Sequence, residues 1–180
     1  MGFNHGRGFA TLSNGGNIWG FGSPPPELLV EEQVQHDKYT GLSGEATGKR
    51  WAGQRFLVPP NRKIATLAFI ISQVGNPIGE VTFTIREYPT NIPLLSKVWG
   101  DASDLPAVYP PTEWQEVEFD APLLIDVLVE MIVQFNRENE EGQVGFAFQE
   151  GDIKPDEEYI RDVEGSDPTA EATYRYKYYE

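Results

Sequence analysis

The 180-residue chain contains no cysteine. Thiol nucleophiles, thiolate metal ligands and a disulfide framework are excluded together. Histidine is nearly as scarce: His5 and His36 are the only two, and neither has a partner at metal-ligand spacing. A structural zinc site or a Ser-His-Asp centre needs side chains that this sequence does not supply. Basic residues are few, 14 against 28 acids, which leaves a formal net charge of −14. Such a surface repels phosphate backbones and anionic lipid, so nucleic acid and membranes are not expected partners. No run approaches the ~18 apolar residues needed to span a bilayer. The N-terminus lacks the charged-then-apolar layout of a signal peptide. A chain natively starting at Met1 is expected to be made without a secretion signal. Helical stripes are missing too, since no window of useful length repeats its apolar residues at helical spacing.

What the sequence does have is alternation. Lys63 to Glu87 holds two apolar, β-branched runs around a Gly75-Asn-Pro-Ile-Gly79 break. The second run places Val81, Phe83 and Ile85 on one side and Thr82, Thr84 and Arg86 on the other. Period-two alternation buries one sheet face and wets the other. Further strands are expected over 28–35, 53–58, 94–99, 114–119, 127–135, 143–149 and 171–179, separated by proline- and glycine-rich breaks. Val127, Val129, Met131, Val133 and Phe135 share a face, as do Tyr174, Tyr176 and Tyr178. Many short strands with regular turn signals imply an all-β, antiparallel two-sheet sandwich, with a jelly roll as the expected wiring. A domain of this size buries roughly 70% of its unfolded surface and needs no covalent staple.

Residues 1–26 read as a different material from the body at 27–180. Seven glycines fall within the first 22 residues, and Pro24-Pro25-Pro26 follows. Glycine makes ordering entropically costly, and a proline run is a stiff extended spacer. Yet Phe3, Phe9, Leu12, Ile18, Trp19 and Phe21 punctuate the segment. Two readings stand: a disordered tail with incidental aromatics, or, since an inert linker would be polar, an extended arm that buries these side chains on another subunit or partner protein.

Three segments carry a resemblance. Trp51-Ala-Gly-Gln-Arg-Phe-Leu-Val-Pro59, the pattern Ile64 to Arg86, and Trp114-Gln-Glu-Val-Glu-Phe119 with the apolar run to Phe135 resemble jelly-roll modules of bacterial and phage surface proteins. The first looks like their opening strand, the second like their next hairpin, the third like a later strand pair. The similarity spans roughly residues 50–150. It implies a non-catalytic, outward-facing module for adhesion, glycan contact or a particle surface, and it carries no functional residue across.

Several smaller groups are candidate sites. Gly100-Asp-Ala-Ser-Asp104 offers Asp101 and Asp104 with a serine hydroxyl, a set from which calcium's six to eight oxygens could be drawn. The same residue types are ordinary turn formers, so no cofactor is required, with calcium the one candidate. Glu116 and Glu118 share a strand face near the lower limit for a glycosidase carboxylate pair, but read more simply as a solvated edge with Val117 and Phe119 turned inward. Trp99 and Tyr109 are the aromatics expected at the surface and hence the candidate glycan contacts, whereas Trp51 and Trp114 are expected in the core. Twelve acids against Lys154 and Arg161 between Glu138 and Glu171 read as a solvated acidic rim, with an ordered loop from Asp152 to Tyr159.

The functional expectation is a structural, oligomeric component of a virus or phage particle, such as a capsid decoration or fibre protein. It would sit on the virion surface after assembly in a host cytoplasm and attach through its arm. The alternative is a carbohydrate-binding module of an extracellular or surface protein.

Overall fold

A computed structural model describes residues 26–42, 48–151, 153–162 and 165–180. The arm residues Phe3, Phe9, Leu12, Ile18, Trp19 and Phe21 lie outside the described residues. The strands are β1 (Leu29–Gln33), β2 (Lys38–Leu42), β3 (Gly48–Leu57), β4 (Arg62–Gly75), β5 (Gly79–Glu87), β6 (Pro93–Asp101) and β7 (Trp114–Ile125). They continue with β8 (Leu128–Arg137), β9 (Gly142–Glu150), β10 (Glu158–Arg161), β11 (Gly165–Asp167), β12 (Ala170–Ala172) and β13 (Tyr174–Tyr179). A single 3-10 turn, Ala102–Asp104, is the one helical element among the described residues.

Two antiparallel sheets form a sandwich. The first runs β1-β13-β4-β9-β12, with β7 also on β4 and β2 also on β9; the second runs β11-β10-β3-β8-β5-β6. The inward residues are the alternating sets read from sequence: Val81, Phe83 and Ile85, then Val129, Met131, Val133 and Phe135, then Tyr174, Tyr176 and Tyr178. Aromatic pairs bridge the two layers. Phe69 meets Phe83 at 5.5 Å between ring centroids, and Phe56 stacks on Tyr174 at 5.4 Å. Offset and edge-on ring pairs of this kind add to their area burial.

Strand β4 is the spine of the first sheet, paired with β13 and β7 along its lower half and with β9 along its upper half. Its inward residues are Ile64, Leu67, Phe69 and Ile71, an odd spacing at the start. A register shift at Ala65 absorbs the extra residue, as a β-bulge does, and brings Ile64 back to the inner face.

The expected hairpin is not a hairpin, and the expected later pair does not pair. Strands β4 and β5 lie in opposite sheets, as do β7 and β8, so both connections cross the sandwich. Gly75 and Gly79 make the first crossing possible, with φ of 78° and 138°. A Cβ on Gly79 would stand 2.0 Å from the Asn136 carbonyl oxygen, which excludes any other residue there. Crossings of this sort are what Greek-key and jelly-roll connections produce.

Strands β2, β10 and β11 were not among the expected ones, and the expected strand at 171–179 is broken at Thr173. The short β2 and β10 contain too few alternating apolar residues to stand out, and pair only because β9 and β3 present open edges to them. Trp51 and Trp114, expected inside, are half-buried on the outer faces. The guanidinium of Arg86 covers the Trp51 ring at 4.5 Å and that of Arg175 covers the Trp114 ring at 4.3 Å. The cation supplies the cover that burial would have given.

The registers place both ends of the sheets. Leu29 opposes Tyr178, Tyr178 opposes Ile64, and Ile64 opposes Leu123. Leu57 opposes Leu128 on the other sheet. The starts of β1, β4 and β8 and the ends of β3, β7 and β13 therefore lie at one end of the sandwich, called here the lower pole.

Removing residues 171–180 deletes Tyr174, Tyr176 and Tyr178 from the core. Each large-to-small loss inside a core costs about 3–5 kcal/mol. Three together exceed the ~5–15 kcal/mol that holds a domain folded. The truncated chain is expected to show no cooperative thermal transition by circular dichroism; a near-native melt would show that the last strand is dispensable.

Candidate functional site

A cleft of about 540 Å³ lies at the edge of the lower pole, lined by Arg55, Tyr88, Leu128, Asp156, Glu157, Glu158 and Pro168. Its floor comes from the second sheet. Arg55 faces outward from β3, Leu128 opens β8, and Tyr88 follows β5 with its amide donating to the Leu128 carbonyl at 3.0 Å. The Arg55 guanidinium lies 3.8 Å above the Tyr88 ring. The opposite wall is the loop entering β10, which is held in place because Glu158 opposes Arg55.

Arg55 is fully engaged. It donates to Glu130 at 2.7 Å and to Glu158 at 2.7 Å, while Arg86 donates to the second oxygen of Glu130 at 2.6 Å. A carboxylate only 2% exposed is therefore neutralised by two guanidinium groups in charge-assisted contact. Beside the cleft, Leu57 opposes Leu128 and is 63% exposed. Leu28, Ile92 and Leu124 are also exposed near strand ends.

Behind the acidic wall, a polar chain runs into the core. Gln54, fully buried, accepts from the Ala172 amide at 2.8 Å and donates to Glu171 and, at 3.3 Å, to Glu157. Tyr174 donates its hydroxyl to Glu157 at 2.8 Å. Lys154 donates to the Tyr174 hydroxyl at 3.1 Å and to Glu31 at 2.7 Å, and Arg62 donates to Glu31 at 3.3 Å and to the Tyr176 hydroxyl. The network thus joins β1, the strand reached first from the N-terminus, to β3, β4, β12 and β13.

Two carboxyls in this chain are pushed in opposite directions. Burial raises the Glu157 pKa above the ordinary carboxylate value, outweighing Lys154, Tyr174 and Gln54, which lower it. Burial also works against the Glu31 carboxylate, but Lys154 and then Arg62 prevail and hold its pKa below the ordinary value. Burial raises Tyr174 strongly, with the Glu157 charge adding to it, so its hydroxyl stays a donor. Divergent pKa values on neighbouring acids are one mark of acid–base chemistry. Here Glu31 is held in ion pairs on one side and Tyr174, itself a core ring, on the other, an arrangement that fastens strands together.

The residues singled out in the sequence fall elsewhere. Trp99, expected at the surface, is half-buried and packs against the core cluster, since β6 closes the edge of the second sheet and turns the indole inward. Tyr109 is 57% exposed, as expected, with its ring 6.0 Å from that of Tyr39, which in turn meets His36 at 6.0 Å. Asp101 caps the 3-10 turn: Oδ1 accepts from the Ser103 amide at 2.9 Å and hydroxyl at 2.6 Å, and Oδ2 from the Gly79 amide at 3.2 Å. Those Ser103 bonds hold its pKa below the ordinary value. Asp104 is exposed in that turn, and among the described residues no three His, Asp or Glu side chains gather at metal-binding range. Glu116 pairs with Lys177 at 2.7 Å, and Val117 and Phe119 point inward as expected.

Glu157, Glu171 and Gln54 escaped the sequence reading. The acids between Glu138 and Glu171 were expected to face solvent, yet Glu171 is 0% exposed because β12 carries it into the sandwich beside Gln54. The one available signal was local: Glu171 and Ala172 stand at the start of an alternating tyrosine strand, where an acid is out of place unless a donor meets it.

Linkage gives Glu157 a sign. Its folded pKa is raised, so its contribution to stability is fully present below the unfolded value of 4.5 and is lost as pH rises through the folded pKa. Glu157→Gln keeps an acceptor for Tyr174 and removes the buried charge. The variant is expected to melt above the wild type at pH 7, with the difference shrinking to zero below about pH 4 in parallel thermal scans. A difference that is constant with pH would show that Glu157 ionisation is not what sets the cost.

The sequence matches no family model and no curated protein.

Proposed function

We propose that this chain is a non-catalytic structural protein that assembles through its N-terminal segment, in the manner of a capsid decoration or fibre component of a virus or phage particle. The observation that carries this reading is the location of the segment's attachment. Residues 1–25 join the body at Pro26, just before β1, at the pole where Leu28, Leu57, Leu124 and Leu128 are exposed. Exposed apolar groups gathered at one place mark contact surfaces. Six large apolar residues in the attached segment add to that supply. The particle setting rests on the resemblance of residues 50–150 to phage and bacterial surface modules. It accords with a cysteine-free body of strongly acidic charge, which keeps such a protein soluble before assembly.

A second reading, carbohydrate binding, is favoured by one observation. The exposed Tyr109 ring stands beside Tyr39 on the upper part of the first sheet. It predicts glycan retardation in affinity electrophoresis that Tyr109→Ala abolishes.

Assembly through the segment predicts that a chain beginning at Glu27 melts within a few degrees of the full chain yet loses its oligomeric state in light scattering. Assembly retained at the same stoichiometry would remove the proposal.

A further inference from the structure

We infer that the cleft lined by Arg55, Tyr88, Leu128, Asp156, Glu157 and Glu158 is the acceptor for the N-terminal segment of a second copy of this chain. The inference rests on the assembly reading above and names the surface that reading leaves open. Three observations support it.

The first is proximity. The cleft sits at the lower pole, where β1 begins, and Glu31 of β1 is tied through Lys154 to the loop that forms the cleft's acidic wall. Wherever two copies meet at this pole, the segment of each starts beside the cleft of the other. Twenty-five extended residues span about 80–90 Å, ample for an exchange. The proline run at 24–26 favours an extended departure over an immediate turn back onto the same subunit.

The second is charge. All 28 acids of the chain lie beyond residue 25, and the segment itself carries Arg7, His5 and no acid. The body without it has 13 basic residues, the chain's 14 less Arg7, for a formal charge of −15. The segment is thus free of acid, and the cleft's wall carries Asp156, Glu157 and Glu158 in sequence. Arg55 and Glu158 neutralise each other, and Glu157 is turned to Tyr174 and Gln54, so the exposed Asp156 is the wall's acid for an incoming cation. Opposite charges at a contact of this kind set register and speed encounter.

The third is shape and polarity. The floor is an aromatic ring and a leucine, Tyr88 and Leu128, continued outside by Leu57. A volume of about 540 Å³ lies within the range of sites that take groups of ligand size. The segment offers Phe9, Trp19 and Phe21 as anchors, and glycines beside them let its backbone approach closely. An aromatic against Tyr88 and Leu128, with Arg7 toward Asp156, satisfies both walls at once.

The test uses two full-length variants. Leu128→Glu places a charge on the cleft floor and leaves the segment intact; Trp19→Ser with Phe21→Ser disarms the segment and leaves the cleft intact. Each is checked by circular dichroism, and Leu57→Glu replaces Leu128→Glu if the latter does not melt cooperatively. By light scattering, each variant alone is expected to associate at least about 100-fold more weakly than the wild type, the loss that follows from burying an unpaired charge or removing aromatic anchors. Mixed, they are expected to form a heterodimer, because one supplies a working segment and the other a working cleft. Wild-type assembly by Leu128→Glu and Leu57→Glu, with assembly lost in the segment variant, overturns the cleft as acceptor and leaves the assembly reading standing. Assembly retained by the segment variant overturns both. Two monomeric variants that do not complement each other show that the occupant is not a second copy, and that also overturns the inference.

Discussion

The sandwich depends on strand β4 being enclosed on both edges along its lower half and on both faces through its middle. Its hydrogen bonds are taken by β13, β7 and β9, its inner face meets the second sheet through Phe69, and its outer face is buried from Ile64 to Ser72. A strand so enclosed cannot slip, since a one-residue shift would carry its inward apolar set out of the core. The Ala65 bulge is the single adjustment that lets one continuous apolar run serve two sets of partners. From that fixed spine the positions of Tyr174, Tyr176 and Tyr178 follow, and from the tyrosines follows the polar chain that reaches Glu157 and Glu31. The lower pole, and with it the cleft, is located by the same register.

Outside the core, cations do work that apolar cover does elsewhere. Arg86 and Arg175 cap tryptophans on opposite faces, Arg55 lies over Tyr88, and Arg62 over Tyr178 at 4.3 Å. With only 14 basic residues against 28 acids, this placement matters. Each of these arginines also meets a carboxylate, so it neutralises an acid and covers a ring together. Arginine's planar guanidinium suits both contacts, stacking on the ring while its edge meets the acid. The acids left over stand mainly at the surface, where they oppose self-association except at faces that present something else.

Legibility in the sequence followed periodicity. Val81 to Arg86, Val127 to Phe135 and the tyrosines of the last strand alternate without interruption, and each was placed correctly from that alone. Pairing was not legible. The Gly75 to Gly79 break looks the same whether the chain folds back beside itself or crosses to another sheet, because both need glycine at positive φ. Short strands such as Glu158–Arg161 carry no pattern of their own and exist because a neighbouring edge is open. The buried acids were invisible for a related reason: an acid near other acids reads as solvated until the topology brings Gln54 and Tyr174, distant in sequence, against it. Exposed aromatics were misjudged where a turn seemed to promise access, as at Trp99, and where an arginine substitutes for burial, as at Trp51.

The interior network also secures the first described strand. Strand β1 has only five residues and pairs with β13 alone. Short edge strands of this kind are readily detached unless something else secures them. Glu31 provides that security, since its two oxygens hold Lys154 and Arg62 and so bind β1 to the loop at 153–157 and to β4. Burial alone would work against that carboxylate, and the two cations outweigh it, so the same contacts that neutralise Glu31 fasten β1 to the enclosed strand β4.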